Sequence, residues 1–190
     1  MIKAIFLAAG QSKRIKYENK LVKRYKKTPL INHSLKVLHK SKVNKVIIVL
    51  GHQHKEVKKI ILKNKKNIFI YNKDYKKGMA SSIKVGLKKV ARNDKGFIVV
   101  QSDMPFIKKS DINKIYNSIK LKKFLVHVLK FKNKIGNPIG FDISLTKRFK
   151  KIKGEYGAKF MVKRLKNKTN FIKVNSSKVF KDFDLKKDFN

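Results

Sequence analysis

The sequence predicts an α/β protein in which helices cover a mostly parallel β-sheet. Two observations support this prediction. Apolar runs of four to six residues alternate along the chain with stretches of helical periodicity, as in sheets whose parallel strands are joined by crossover helices. The first apolar run, from Ile2 to Phe6, leads into small residues at positions 8 to 10, which is typical of a buried strand that ends in a tight turn.

The first 120 residues contain strand and helix candidates in alternation. Strands are predicted at 2–7, 46–50, 68–71 and 97–100, where apolar residues dominate. Pro29 opens the first helix. The apolar residues that share one face of this helix are Leu30, Ile31, Leu35 and Leu38. Two further helices are predicted at about 55–63 and 80–91. The fourth begins at Ser110 as its N-cap, with the isoleucines of positions 112, 115 and 119 facing inward.

Beyond residue 122 the alternation is less regular. Strands are predicted at 124–131, 139–141 and 171–174, with a loop at 133–138 and helices near 145–149 and 158–165. No Gly-, Ser- or Pro-rich linker and no internal repeat separates this part from the first. A chain of 190 residues with 42% hydrophobic content can bury one sizeable core. We therefore expect one domain over residues 1–190, in which the second half extends the sheet.

The composition excludes several classes of chemistry. The absence of cysteine excludes disulfides, thiolate nucleophiles and Cys-ligated zinc or iron–sulfur centres. The first residues do not show the basic segment, long apolar stretch and cleavage site of a secretory signal, and no stretch approaches the roughly 18 apolar residues of a membrane helix. We expect a soluble, cytoplasmic protein that has no membrane partner.

The net charge of +40, from 51 Lys and Arg against 11 Asp and Glu, invites a nucleic-acid interpretation. The basic residues, however, are scattered as singles and pairs in every segment and never occur three in a row. Together with the abundance of Asn and Ile, this pattern is typical of a proteome-wide compositional bias. We favour that interpretation and expect only non-specific binding of nucleic acid, while dedicated nucleic-acid binding stays an alternative.

The loop after the first strand is the strongest local signal. It reads Leu7-Ala8-Ala9-Gly10-Gln11-Ser12-Lys13-Arg14. Small residues let the backbone approach a ligand closely, successive N–H groups in such a turn bind anions, and an arginine adds a planar charge suited to phosphate. The pattern favours nucleotide binding. The alternative is a purely structural turn, which is common after strands in α/β proteins.

Acidic residues are scarce, so their positions are informative. Asp103 follows the strand candidate 97–100 within three residues and should lie at the strand's carboxyl end, where ligands bind in open α/β sheets. A carboxylate held there suits Mg²⁺, and the alternative is a turn or helix-capping aspartate. Asp182 and Asp184 alternate along an extended segment, either completing a metal site near Asp103 or belonging to a solvated tail. Among the histidines, only His52 and His54 have a spacing that suggests metal ligation, and we favour a surface loop over zinc.

Eight short motifs follow one another in a recognisable order. They are the loop at 7–14, Asn19-Lys20-Leu21, Val49-Leu50-Gly51-His52, Gly78-Met79-Ala80-Ser81-Ser82, Ser102-Asp103-Met104-Pro105, Gly136-Asn137-Pro138, Gly154-Glu155-Tyr156-Gly157-Ala158 and Asp182-Phe183-Asp184-Leu185. With this order the chain resembles, over essentially its whole length, the molybdenum cofactor cytidylyltransferase family, the MocA/MobA-like branch of the nucleotidyltransferases. The resemblance implies a Rossmann-like three-layer sandwich of the nucleotide-diphospho-sugar transferase type.

The resemblance also implies roles for individual residues. Arg14 and Lys20 would hold the triphosphate as catalytic groups, Asp103 would bind Mg²⁺, and Asp184 with Asp182 would complete the metal site. A nucleotide-binding half would span about 1–120 and an acceptor-binding half about 121–190. The residues implied to contact the nucleotide or the second substrate are Leu7, Ala8, Ala9, Gly10, Ser12, Asn72, Gly78, Ser82 and Asn137.

The implied reaction moves CMP from CTP onto the phosphate of molybdopterin cofactor and releases pyrophosphate. CTP is favoured over GTP because the chain has Ala9 where guanylyl-transferring relatives carry a second glycine. A molybdoenzyme that receives the product is a further candidate partner.

The chain also departs from the family pattern. Ile15-Lys16 stand where Met-Gly is usual, Asn137 replaces the His of a Gly-His-Pro motif, and Glu155 replaces the Asp of Gly-Asp-x-Gly. These departures weaken the assignment of the acceptor. Two alternatives therefore stay open: a sugar-phosphate or other small-alcohol-phosphate nucleotidyltransferase, which usually carries Pro where this chain has Asn19, and a basic nucleic-acid-binding protein.

Overall fold

The computed structural model of the chain describes residues 1–12, 19–155 and 157–189. The strands are β1 (Ile2–Ala8), β2 (Arg24–Tyr25), β3 (Thr28–Pro29), β4 (Lys45–Leu50), β5 (Asn67–Tyr71), β6 (Gly96–Gln101), β7 (Val126–Phe131), β8 (Lys134–Asp142) and β9 (Thr169–Lys173). The α-helices are α1 (Leu30–Lys40), α2 (His54–Ile60), α3 (Met79–Leu87), α4 (Lys109–Lys120), α5 (Thr146–Phe149) and α6 (Ala158–Arg164). Short 3₁₀ helices cover Tyr75–Lys77, Ile143–Leu145, Lys166–Lys168, Ser177–Phe180 and Lys186–Phe189.

Seven strands of the described residues form one sheet in the order β5-β4-β1-β6-β8-β7-β9. All neighbouring pairs up to β6 are parallel, β8 runs antiparallel to both β6 and β7, and β7 is again parallel to β9. The second half of the chain thus extends the sheet of the first, as the sequence predicted. Strands β2 and β3 form a separate antiparallel hairpin.

Helices cover both faces of the sheet because successive residues of a strand point to opposite sides. On β1, Phe6 packs into one apolar core with α1, α2 and α4, whereas Ile5 packs into a second core with α3, α5 and α6. Both residues are fully buried, as are the apolar side chains at the centres of β4 and β6. Strands that are apolar on both faces are what a parallel sheet between two helical layers requires.

The boundaries differ from the prediction where local hydrogen bonds decide them. Ser110 is not the N-cap of its helix: α4 begins at Lys109, and the backbone N–H of Lys108 donates to Asp111 Oδ2 at 2.9 Å. A carboxylate in the first turn satisfies this free N–H and complements the helix dipole, so Asp111 takes the capping role. The loop predicted at 133–138 is mostly strand, because β8 begins at Lys134 directly after a tight turn.

A buried ion pair neutralises the one charge on β1. Lys3 Nζ lies 2.8 Å from Asp94 Oδ2, and both side chains are buried. Burial alone would raise the pKa of Asp94, but the hydrogen bonds from Lys3 and from the Ala91 N–H outweigh burial and lower it. The pair therefore anchors the N-terminal end of β1 to the loop before β6.

Among the described residues, no helix combines the length and the apolar character that crossing a membrane requires.

Strand β7 carries a fully buried imidazole. His127 Nδ1 lies 2.7 Å from the Ser118 hydroxyl on α4, and Asn170 Nδ2 on β9 donates to the same hydroxyl at 2.7 Å. The other ring nitrogen, Nε2, has no hydrogen-bond partner among the described residues. Burial lowers the pKa of His127 to about 4, because an imidazolium would lose its hydration there.

We expect this histidine to make the fold sensitive to acid. Between about pH 4 and the ordinary value of 6.5, the unfolded chain binds a proton at His127 that the folded chain does not. Stability contributed by the neutral ring is complete above 6.5 and is lost as the pH falls towards 4, by about 3 kcal/mol. Urea denaturation of wild type and His127→Gln at pH 7 and pH 4.5 measures this loss of unfolding free energy. Equal losses in both proteins would contradict it.

Candidate active site

A cleft of about 420 Å³ lies over the carboxyl ends of β1 and β6. Its described lining comes from six parts of the chain: the turn after β1, positions 20–21, the segment 75–82, the end of β6 with its following turn, position 155 and the C-terminal segment. The described lining residues are Leu7, Ala9, Gly10, Gln11, Ser12, Lys20, Leu21, Tyr75, Lys76, Gly78, Met79, Ser82, Gln101, Ser102, Asp103, Glu155, Asp182 and Asp184. Parallel strands end at the same edge of a sheet, so this is where an open α/β sheet binds ligands.

The turn after β1 forms one wall of the cleft with little bulk. A methyl group at Gly10 would have no atom of the described residues within 4 Å, so on that side the backbone is open to a ligand. Ala8 is buried in the core beneath, whereas Ala9 packs against Gly51, where a Cβ would lie 2.7 Å from the Ala9 Cβ. Ser12 marks the end of this wall, and its hydroxyl accepts the backbone N–H of Lys20 at 3.1 Å. Arg14 lies outside the described residues.

Three charged side chains meet at one end of the cleft. Lys20 Nζ donates to Asp103 Oδ2 at 2.6 Å and to Asp184 Oδ1 at 2.7 Å. The side chains of Lys20, Asp103 and Asp184 are 14%, 13% and 32% exposed. The structure therefore brings together the predicted catalytic lysine and two of the three predicted metal ligands, and it places Asp182 in the same lining.

Burial and charge act in opposite directions on this cluster. Burial alone would lower the pKa of Lys20, but the charges and hydrogen bonds of Asp103 and Asp184 outweigh burial, so that pKa is raised. Burial also raises the pKa of Asp103, which the Lys20 ammonium only partly offsets. Asp103 Oδ1 is buried and has no hydrogen-bond partner among the described residues. A carboxylate oxygen in that condition is suited to a ligand that arrives from the cleft.

The C-terminal segment reaches the cleft because an aromatic side chain anchors it. Phe183 is buried, and its ring packs edge-on to Tyr25 of β2, with ring centroids 4.8 Å apart. Its backbone N–H donates to the Asp103 carbonyl at 3.0 Å, which joins the two acidic segments directly. Asp188 Oδ2 accepts the N–H groups of Asp184 and Leu185 at 3.0 and 2.9 Å and so fixes the turn.

Carboxylates are concentrated in this cleft. The chain has only 11 acidic residues. Four of them line the described part of the cleft, namely Asp103, Glu155, Asp182 and Asp184, whereas the described lining contains two lysines, Lys20 and Lys76. In a protein with a net charge of +40, such a local excess of negative charge indicates a site for a cation or for a ligand that carries one.

The donor chemistry of the cluster fits Mg²⁺. This ion binds through one or two carboxylates together with substrate phosphates, and it seldom uses a complete cage of protein ligands. Asp103 and Asp184 supply such a pair, with the buried Asp103 Oδ1 as a further donor. In the part of the chain that the structure describes, no three His, Cys, Asp or Glu side chains group as a metal site.

The opposite wall holds the residues expected on the side of the second substrate. Gly78 and Ser82 line the cleft, and the backbone of Gly78 has a φ of +89°. Asn72, expected to contact the nucleotide, is buried beneath this wall: its Nδ2 donates to Ser81 Oγ at 2.8 Å and to Ser82 Oγ at 3.0 Å. The amide of Asn72 thus supports the wall instead of facing the cleft.

Gln101, the last residue of β6, was not predicted as a site residue. Its side chain lines the cleft, and its Oε1 accepts Asn137 Nδ2 at 2.7 Å, so Asn137 reaches the site through Gln101. The signal available in the sequence was a polar residue that ends an apolar strand two positions before Asp103.

The two histidines with metal-like spacing each pack against a tyrosine. The ring centroids of His52 and Tyr75 are 5.9 Å apart, and those of His54 and Tyr71 are 4.4 Å apart.

Solved structures share this fold at low sequence identity. Rv0371c from Mycobacterium tuberculosis H37Rv superposes with a TM-score of 0.87 and 20% identity, over 99% of this chain and 95% of that one. A structure of the same protein in complex with manganese superposes with a TM-score of 0.82 at 19% identity, over 99% and 95% of the two chains. A 4-diphosphocytidyl-2C-methyl-D-erythritol synthase from Anaerococcus prevotii superposes with a TM-score of 0.78 at 16% identity, over 99% of this chain and 92% of that one. The fold is therefore that of the nucleotide-diphospho-sugar transferases, as the resemblance implied.

Two curated proteins are similar in sequence to part of this chain. The bifunctional protein GlmU of Clostridioides difficile is 27% identical over 140 residues, which is 73% of this chain and 29% of GlmU. GlmU of Campylobacter fetus is 32% identical over 117 residues, 60% of this chain and 26% of GlmU. The chain thus spans less than a third of the length of these curated relatives.

A family model covers most of the chain. The model of the MobA-like NTP transferase domain matches residues 4–169, a range that contains the turn after β1, Lys20, Asp103 and the wall at 78–82. The chain therefore belongs to the MobA-like NTP transferase domain family.

Proposed function

We propose that the protein is a Mg²⁺-dependent nucleotidyltransferase. It moves a nucleoside monophosphate from a nucleoside triphosphate onto the phosphate of an acceptor and releases pyrophosphate. The observation that carries the proposal is the joining of Lys20, Asp103 and Asp184 in a cleft at the carboxyl ends of β1 and β6. Membership of the MobA-like family supports the same reaction class.

The reaction is an in-line displacement at phosphorus. A phosphate oxygen of the acceptor forms a bond to the α-phosphorus, and the bond from that phosphorus to the bridging oxygen of pyrophosphate breaks. Such a step depends on positioning and charge neutralisation more than on acid–base groups. The open backbone at Gly10 admits the nucleotide, and Lys20 with Arg14 neutralises the departing pyrophosphate. When bound, Mg²⁺ held by Asp103 and Asp184 would supply further neutralisation of phosphate charge.

The most specific form of the proposal has CTP as donor and molybdopterin cofactor as acceptor, with a molybdoenzyme receiving the product. The order of the eight motifs supports it. The alternative acceptor is a sugar phosphate or another small-alcohol phosphate. The similarity to GlmU and to the Anaerococcus synthase supports this alternative as well as the first, since the name of that synthase describes a diphosphocytidyl group joined to methylerythritol.

A pyrophosphate-release assay with CTP, Mg²⁺ and each class of acceptor tests the reaction. Absence of release with every nucleoside triphosphate and acceptor would reject it.

A graded series of aspartate variants tests the assigned roles. We expect Asp103→Asn to lower kcat/KM by at least about 100-fold, because a preorganised charge at the phosphates is lost. Asp184→Asn should act in the same direction, and Asp182→Asn more weakly, since Asp182 is exposed and has no contact to Lys20 in the structure. Unfolding free energies should change by only about 1 kcal/mol, because in each case Lys20 keeps a carboxylate partner.

The matched control for this series is Glu56→Gln, an exposed carboxylate on α2 outside the cleft lining. Wild-type turnover in Asp103→Asn at saturating Mg²⁺ would contradict the site assignment. A large loss of stability in that variant would indicate instead that Asp103 is a structural aspartate.

Two glycine variants distinguish a glycine that the fold requires from a glycine that leaves room for the nucleotide. At Gly78 a Cβ would lie 2.5 Å from the Gly154 backbone at a positive φ, so Gly78→Ala should destabilise the fold by about 1–3 kcal/mol. At Gly10 a Cβ would meet none of the described residues within 4 Å, so Gly10→Ala should leave the unfolding free energy unchanged while it raises the Kd for Mg·CTP at least tenfold. Urea denaturation and calorimetric titration measure the two effects. Unchanged CTP binding in Gly10→Ala would show that the nucleotide does not approach this turn.

A thermal-shift screen separates the three function classes. Stabilisation by CTP that requires Mg²⁺ and increases with molybdopterin cofactor supports the first proposal. An increase with a sugar phosphate, and not with molybdopterin cofactor, supports the alternative acceptor. Stabilisation by nucleic acid alone, lost at high salt, would support a nucleic-acid-binding protein and oppose both enzymes.

A further inference from the structure

Lys20 contacts the same two carboxylates that the proposed function assigns to a divalent cation. Its Nζ lies 2.6 Å from Asp103 Oδ2 and 2.7 Å from Asp184 Oδ1. Magnesium also binds through carboxylate oxygens, so an ion held by these two oxygens would need ligands that the ammonium already contacts. Like charges at the same oxygens repel each other, so the metal and the ammonium compete for the carboxylates.

We propose that Lys20 fills the cation position of the free protein and leaves it when the divalent metal enters with the nucleotide. The inference rests on the proposed function and adds an order of events to it. The ammonium exchanges two carboxylates for phosphate oxygens of the triphosphate, and the carboxylates exchange an ammonium for the metal. No covalent bond changes, and every charge keeps a partner throughout.

The backbone around Lys20 is fixed while its side chain can move. The Lys20 N–H donates to Ser12 Oγ at 3.1 Å, and the N–H of the next residue, Leu21, donates to Asn19 Oδ1 at 3.1 Å. Leu21 and Asn19 are both buried, which anchors this segment to the core. A lysine side chain has four rotatable bonds and three equivalent donors, so it can change partners without a change in the main chain.

The carboxylates need a cation at all times. Asp103 is nearly buried, and its Oδ1 has no hydrogen-bond partner among the described residues. A buried carboxylate without a counter-ion is costly, so removing Lys20 with nothing in its place is unfavourable. In the free protein the ammonium supplies this charge and therefore opposes the entry of a metal ion that arrives alone. Phosphate oxygens remove that opposition because they give the ammonium a new partner.

The test measures binding of Mn²⁺ alone, in the absence of nucleotide, by electron paramagnetic resonance of the free ion. We expect wild type to bind Mn²⁺ weakly at the cleft and Lys20→Met to bind one ion at least tenfold more tightly. The matched control is Lys76→Met, which removes a positive charge from the same cleft without touching Asp103 or Asp184. It should change the Mn²⁺ affinity by less than twofold. Lys20→Arg keeps the charge and can bind carboxylates in a bidentate manner, so it should bind Mn²⁺ no better than wild type.

The double variant Lys20→Met/Asp103→Asn connects the effect to the carboxylate. It should lose the tighter Mn²⁺ binding that Lys20→Met gains. Circular dichroism and thermal melting with and without Mn²⁺ check that each variant is folded, and Lys20→Gln replaces Lys20→Met if the latter does not fold. An Mn²⁺ affinity in the folded Lys20 variant that is equal to or weaker than that of wild type would overturn the proposal, as would an equal gain in Lys76→Met.

Failure of this inference and failure of the proposed function are distinguishable, because the metal titration involves no turnover. A tenfold gain in Lys20→Met without pyrophosphate release from wild type would support the competition and reject the reaction. Pyrophosphate release from wild type with no gain in Lys20→Met would keep the reaction and reject the competition.

Discussion

The two ion pairs of Lys20 are the interaction on which the site depends, because they join three segments that are far apart in the chain. Asp103 is 83 positions from Lys20, and Asp184 is 164 positions from it. The sheet makes the first contact possible, since β1 and β6 are neighbours and both end at this edge. The second contact depends on packing outside the sheet, at the C-terminal segment. A change that moves the Lys20 segment therefore removes a charge partner from both carboxylates, whereas a change that moves one carboxylate leaves Lys20 with the other.

The apolar contacts of Phe183 are as much a part of the site as its charges. Asp182 and Asp184 flank this one buried ring, which packs between Tyr25, Phe106 and Phe189. Burying such a side chain contributes about 1.5–3 kcal/mol. The hairpin of β2 and β3 thus has a function in the fold, because it presents Tyr25 to this ring. The packing of Phe183 against Tyr25 therefore positions Asp184 for its ion pair with Lys20.

Much of this could be predicted from the sequence, and the limits have physical causes. β1, β4 and β6 are apolar on both faces, so local composition revealed them, and their shared edge predicted the place of Asp103. The hairpin of β2 and β3 has two residues per strand, too few for any periodicity. The prediction of an N-cap at Ser110 was wrong, because α4 begins earlier, at Lys109, and Asp111 in its first turn accepts the N–H of Lys108. The contact from Lys20 to Asp184 and the pairing of Gln101 with Asn137 are long-range, and no local pattern encodes them.

The charge of the whole protein and the charge of the cleft have opposite consequences. At physiological ionic strength, charges further away than about 8 Å are largely screened, so a ligand in the cleft responds mainly to the local groups. The net charge of +40 attracts any polyanion to the surface, whereas the described lining has four carboxylates against two lysines. A bare polyanion such as nucleic acid would meet more carboxylates than lysines in this described lining. Under the proposed function, a triphosphate that carries its own divalent cation would gain, because the metal would meet the carboxylates while the phosphates would meet Lys20. The local sign of charge in the described lining, and not the total, therefore supports a metal–nucleotide complex as the proposed ligand.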